Sequence, residues 1–96
     1  MDLDQFIQQL ETSTNCPSNL SKALQALWYD KKGDWQRAHA IVQSENDGDS
    51  AWVHAYLHRE EGDLSNARYW YRQVGRPVAT GELDQEWRQI VSDLLA

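Results

Sequence analysis

With 96 residues, 41% of them hydrophobic and 25% charged, the chain is expected to form one domain, residues 1–96, with a single modest core and no room for a separate catalytic domain. Five Trp supply enough large apolar surface to offset chain entropy, which excludes a disordered chain. The formal charge of −6 excludes a general nucleic-acid binder, because phosphate binding needs a concentration of Lys and Arg.

The start, MDLDQFIQQL, carries acid where a signal peptide needs positive charge, and no apolar run approaches the roughly 18 residues of a membrane span. The single cysteine, Cys16, has no internal disulfide partner and no Cys/His zinc framework around it, so a reducing, cytoplasmic location is expected. Leu3, Phe6, Ile7 and Leu10 recur at i, i+3, i+4 and i+7, which predicts a first helix over residues 3–11. TSTNCPSN breaks it, and a second helix follows with its cap near Ser18 or Asn19. Leu20, Ala23, Leu24, Leu27 and Trp28 form the apolar stripe of that helix.

Gly33 and Asp34 end the second helix and open a third, since Gly tolerates the left-handed conformation and Asp caps free amides. Trp35, Ala38, Ile41 and Val42 share a face there. The polar loop 44–50 ends in the cap candidates Asp49 and Ser50; it lacks calcium-loop spacing. The fourth helix, 51–61, is apolar around most of its girth, the pattern of a helix packed between neighbours. Gly62 and Asp63 repeat the earlier turn, and Leu64, Ala67, Trp70, Tyr71 and Val74 predict the inward face of helix five. Gly75, Arg76 and Pro77 stop it. A last amphipathic helix over 82–95 carries Leu83, Trp87, Ile90, Val91 and Leu94 and is expected to cover the open end of the stack. No strand pattern competes.

Laying Gly33-Asp34-x-x-x-Ala38 over Gly62-Asp63-x-x-x-Ala67 gives a shift of 62 minus 33, or 29 residues, and the same shift matches Leu27 with Tyr56 and Ile41 with Trp70. Two copies of a helix-turn-helix unit, 20–45 and 50–76, account for these matches together. The Tyr29-x-x-x-Gly33-Asp34-Trp35-x-x-Ala38 pattern resembles the middle of a tetratricopeptide unit, and Asn66-Ala67-Arg68-Tyr69-Trp70-Tyr71-Arg72 resembles the segment that closes a Sel1-like unit. The period is shorter than the tetratricopeptide value of about 34. The resemblance implies an all-α, superhelix-like stack of helical hairpins with flanking capping helices. It also implies a protein-binding concave face lined by the first helix of each unit, here helices two and four.

Candidate site residues concentrate in the second unit. His54 and His58, four apart on one helix, can hold two metal positions, but Ala55 stands where a zinc protease of the HExxH type has its Glu. A third ligand would have to come from Glu61 or from His39, distant in sequence, so packing between helices is the expected role of the pair and no metal or cofactor is assigned. Arg68, Arg72 and Arg76 form an i, i+4, i+8 row, suited to carboxylates or phosphates, or to pairing with Glu82, Asp84 or Glu86. Tyr29 and Tyr69 fall off their stripes and suit an interface.

No phosphate loop, GxSxG or carboxylate pair isolated in an apolar setting appears, so no enzyme is expected. The favoured function is a protein–protein interaction module, monomer or weak homodimer, that binds a protein or peptide, an acidic one among the candidates, on the face of helices two and four, with Tyr29, His54, His58, Arg68, Tyr69 and Arg72 as the candidate contacts. The alternative is a small-molecule, anion or metal-binding protein using the His54/His58 face and the Arg68/Arg72 stripe.

Overall fold

The computed structural model describes all 96 residues and contains six helices and no strand. They are α1 (Leu3–Thr12), α2 (Lys22–Lys31), α3 (Trp35–Gln43), α4 (Gly48–Glu60), α5 (Leu64–Gln73) and α6 (Leu83–Leu95). None is long and apolar enough to cross a membrane. Helices α2 and α3 form one antiparallel hairpin, α4 and α5 a second, and α3 packs on α4 to join them.

The expected turns form for the expected reason. Gly33 and Gly62 take φ of +91° and +87°, a conformation that costs glycine little, and each lets the following Asp N–H donate back five residues, Asp34 to the Tyr29 carbonyl and Asp63 to the His58 carbonyl, both at 2.9 Å. The same Asp side chains then cap the next helix, Asp34 accepting from Arg37 N–H and Asp63 from Asn66 N–H. One turn later Ala38 and Ala67 are buried, their small side chains allowing the hairpin helices to close up.

Two helix starts differ from expectation. Helix α2 is capped by Ser21, whose Oγ accepts from Leu24 N–H at 3.2 Å, because Ser18 and Asn19 are spent in a turn that brings Leu20 onto the core. Helix α4 starts at Gly48, capped by Asp47, so Asp49 and Ser50 lie inside its first turn. Leu64, expected on the inward face of α5, is 53% exposed.

Helix α6 lies against α4, α2 and α1, and Trp87 is its apolar anchor. The ring is fully buried beside Phe6, and its Nε1–H donates to the Leu27 carbonyl at 3.2 Å. Its polar anchor is Glu86, buried between hairpin two and α6. Tyr71 Oη donates to both carboxylate oxygens at 2.7 and 2.8 Å, Arg59 Nη1 donates at 3.0 Å, and Trp52 Nε1 at 3.3 Å. Arg59 also donates to the Gly81 carbonyl, tying the loop before α6 to α4.

With α6 in place, every residue from 52 to 58 of α4 is buried. Helix α6 thus packs across part of the face of helices two and four, where a partner was expected. Removing the Glu86 carboxylate would leave the largely enclosed Arg59 guanidinium without its counter-ion, a loss of up to about 3–5 kcal/mol, the range for a broken buried pair. Glu86→Ala is expected to lower urea-unfolding stability by about that amount. A matched Arg59→Met/Glu86→Leu pair, which still leaves the Tyr71 hydroxyl and the Trp52 Nε1–H without an acceptor, is expected to recover part of it, and equal losses in both variants would contradict the assignment.

Candidate functional site

Two groups of polar side chains have no part in holding α6. The first lies in the seam where α3 of the first hairpin packs on α4 of the second. The 3.6-residue period of α4 puts His54 and His58 on one face, and α3 brings His39 against them. The three ring centroids are 4.8 Å (His39–His54), 5.1 Å (His39–His58) and 4.8 Å (His54–His58) apart.

Nε2 of His39 and Nε2 of His54 lie 3.1 Å from each other. The His58 Nδ1 meets Glu61 Oε1 at 2.5 Å, across the end of α4. Two half-buried tryptophans clamp the group: Trp35 stacks on His39 at 4.9 Å and 9°, and Trp70 stacks on His54 at 4.1 Å and 16°. Trp35 is itself pinned by its Nε1–H, which donates to the Leu57 carbonyl at 2.9 Å.

His54 and His58 are buried, and His39 is half-buried. Burial first, then the neighbouring imidazoles His39 and His58, depresses His54 to about 4, and burial followed by His58 lowers His39 as well. Both rings are therefore neutral near pH 7, the form that offers a nitrogen lone pair. His39, which its distance in sequence had set aside, turns out to be the closest partner of His54. The signal that could have found it is the repeat itself, since the second helix of one unit packs on the first helix of the next.

The second group is on α5. Arg68, Tyr69 and Arg72 are exposed, and none of Arg68, Arg72 and Arg76 is within ion-pair distance of a carboxylate. Arg68 donates only to its helix neighbour Ser65 at 3.4 Å. The expected i, i+8 row is cut short. Gly75, with φ of +68°, ends α5 so that Arg76 N–H donates to the Tyr71 carbonyl, and the Arg76 guanidinium lies 3.4 Å over the Trp52 ring. Pairing with the acids of α6 holds for Arg59 and Glu86 but not for these three. Two shallow clefts of about 340 and 440 Å³ share Tyr71, Arg76, Pro77 and Val78 as their common wall.

Of the expected site residues, the fold brings His54 and His58 together, and Arg68, Tyr69 and Arg72 together. Trp70 links the two sets, edge-on to Tyr69 at 5.2 Å and stacked on His54. Tyr29 stands apart on the first hairpin, half-buried, with the Arg37 guanidinium 4.0 Å over its ring. No family model, curated protein or solved structure matches the chain.

One further pair corrects the sequence reading. Asp30, buried on α2, and Glu60, at the end of α4, form the carboxylate pair that spacing did not reveal. Partial burial first, then the Asp30 carboxyl competing for the same proton, pushes Glu60 up to about 8. A carboxyl raised on folding contributes most below its unfolded value of about 4.3 and loses that contribution as pH rises through the folded value. Stability is thus expected to fall between pH 5 and 8 from this pair. Glu60→Gln should flatten that fall and raise the unfolding midpoint at pH 8 by about 4 °C, after allowance for solvent screening at its exposed end. Thermal scans across that range check it, and a parallel fall in both proteins would contradict it.

Proposed function

We propose that the chain is a small tetratricopeptide- or Sel1-like interaction module whose partner docks on the outer face of α5, not on the face of helices two and four. The observation that carries this reading is an open seam. Adding the 29-residue shift to His39 gives Arg68, and adding it to Trp35 gives Leu64. In the first unit the corresponding face, carrying Trp35 and His39, is covered by α4. In the second unit it is uncovered and presents Leu64 at 53% and Tyr69 at 51% exposure beside Arg68 and Arg72.

An apolar and aromatic patch flanked by unpaired arginines suits a partner helix or segment with acidic residues around an apolar centre. Arginine forks engage carboxylates two at a time, and Tyr and Arg are the residues that most often carry interface energy. The clefts beside Arg76 extend the surface toward α6. The role is binding without catalysis, and the partner is a protein or peptide.

The test uses the purified domain immobilised for capture from extract of its own cells, with an Arg68→Glu/Arg72→Glu variant beside it. The expected result is a partner retained by the native surface and released by moderate salt. Its affinity for the variant should fall by about tenfold or more, mostly through association rate. Circular dichroism of the variant should be unchanged, since both side chains are solvated. Equal retention by both proteins would move the interface elsewhere.

A further inference from the structure

We propose that His39, His54 and His58 form a binding site for one divalent transition-metal ion of the zinc class, in the seam between α3 and α4. The proposal does not rest on the docking role given to the α5 surface. One nitrogen from each of the three rings lies within 4.8 Å of the other two. Tetrahedral zinc with bonds of 2.0–2.1 Å needs donors about 3.3 Å apart, and the His39 and His54 Nε2 atoms are 3.1 Å apart already. Rotation of His58 within its slot completes the set.

Simple packing does not account for the arrangement as well. In the absence of an ion, one proton bridges the two facing Nε2 atoms, and the one hydrogen bond of His58 runs from Nδ1 to Glu61, so its Nε2 is left without a protein partner. A cation satisfies all three lone pairs together. Besides that rotation of His58, binding asks for a change of tautomer: the hydrogen between His39 and His54 moves to Nδ1 of its ring, and every Nε2 is left free.

The surroundings fit the same chemistry. Glu61 accepts from His58 Nδ1–H, the carboxylate–histidine pairing that fixes a metal-ligating ring and directs Nε2 to the ion. Trp35 and Trp70 hold the His39 and His54 rings by stacking, and so limit the rotamers open to them. Asp63, the nearest other carboxylate, is committed to capping α5. Three nitrogen donors and a half-exposed His39 leave the fourth coordination position to water at the open edge of the seam. Nitrogen-only ligation suits Zn²⁺, Ni²⁺ or Cu²⁺ and disfavours Mg²⁺ and Ca²⁺.

The experiment is a titration of tag-free, chelator-treated protein with Co²⁺, followed in the visible, and with Zn²⁺ in competition. The expected result is saturation at one ion per chain, with intense d–d bands of low coordination number that Zn²⁺ abolishes. The unfolding midpoint should rise by roughly 10 °C or more at 100 times the Kd of Zn²⁺. His39→Gln, at a half-exposed position that keeps the fold, should weaken binding at least tenfold, and His54→Ala should abolish it. Glu61→Gln should weaken binding about tenfold with the same bands. No saturable uptake at 100 µM free Zn²⁺, or uptake unchanged in His39→Gln, would overturn the site. Altered bands in Glu61→Gln would overturn the outer role given to that carboxylate.

Discussion

The buried Glu86 carboxylate is the constraint on which the arrangement of the helices depends. It sits on α6 and takes hydrogen bonds from Trp52 and Arg59 of α4 and from Tyr71 of α5, so three elements meet at two oxygen atoms. Taking a carboxylate and a guanidinium out of water costs several kcal/mol each, and only a full set of donors offsets it. The cost also makes the contact specific. An apolar α6 could slide over α4, whereas Glu86 has one place where all three donors are met. Burial, together with the adjacent Glu86, raises Tyr71 far above the usual phenol range, so it stays a donor at any ordinary pH.

Fixing α6 decides which faces remain available. Trp87 and Ile90 complete the core with Phe6 and Trp28, and the first helix of each hairpin is enclosed. What is left is the second helix of each hairpin. The α3 face is used once, inside the molecule, where it meets α4. The α5 face is not used at all. The function proposed for this chain accordingly rests on the seams of its hairpins rather than on a concave groove.

Local signals in the sequence carried the hairpins because they depend on neighbours in the chain. Gly33-Asp34 and Gly62-Asp63 encode turn and cap in adjacent residues, and the Trp28 and Trp87 stripes follow the helical period. The starts of α2 and α4 were less legible, since Ser18, Asn19 and Ser21, or Asp47, Asp49 and Ser50, are all competent caps and only packing of Leu20 and Ser50 selects among them. The sites were legible in part. His54 and His58 share a face by spacing alone, but His39 joins them through tertiary packing across 15 residues of sequence. Asp30 with Glu60, and Glu86 with its donors, are likewise pairings of different helices, which no spacing rule within one helix can reveal.

For the uncovered face of α5 the plain alternative is a solvated outer surface, since the exposed side of a terminal helix must be polar to stay soluble. Its chemistry argues otherwise. A cap is best made with interspersed charges of both signs, and this chain has 15 acidic residues from which to draw partners. Four of them lie in the segment after Pro77, yet the ion pairs there go to Lys31, Arg59 and Arg88 and leave Arg68, Arg72 and Arg76 without one. Leu64 and Tyr69 add apolar area that a solubilising surface has no reason to expose. The inner seam sets His against His between two tryptophans. The outer seam leaves its arginines without ion pairs and its apolar side chains exposed, which supports the binding role proposed for it.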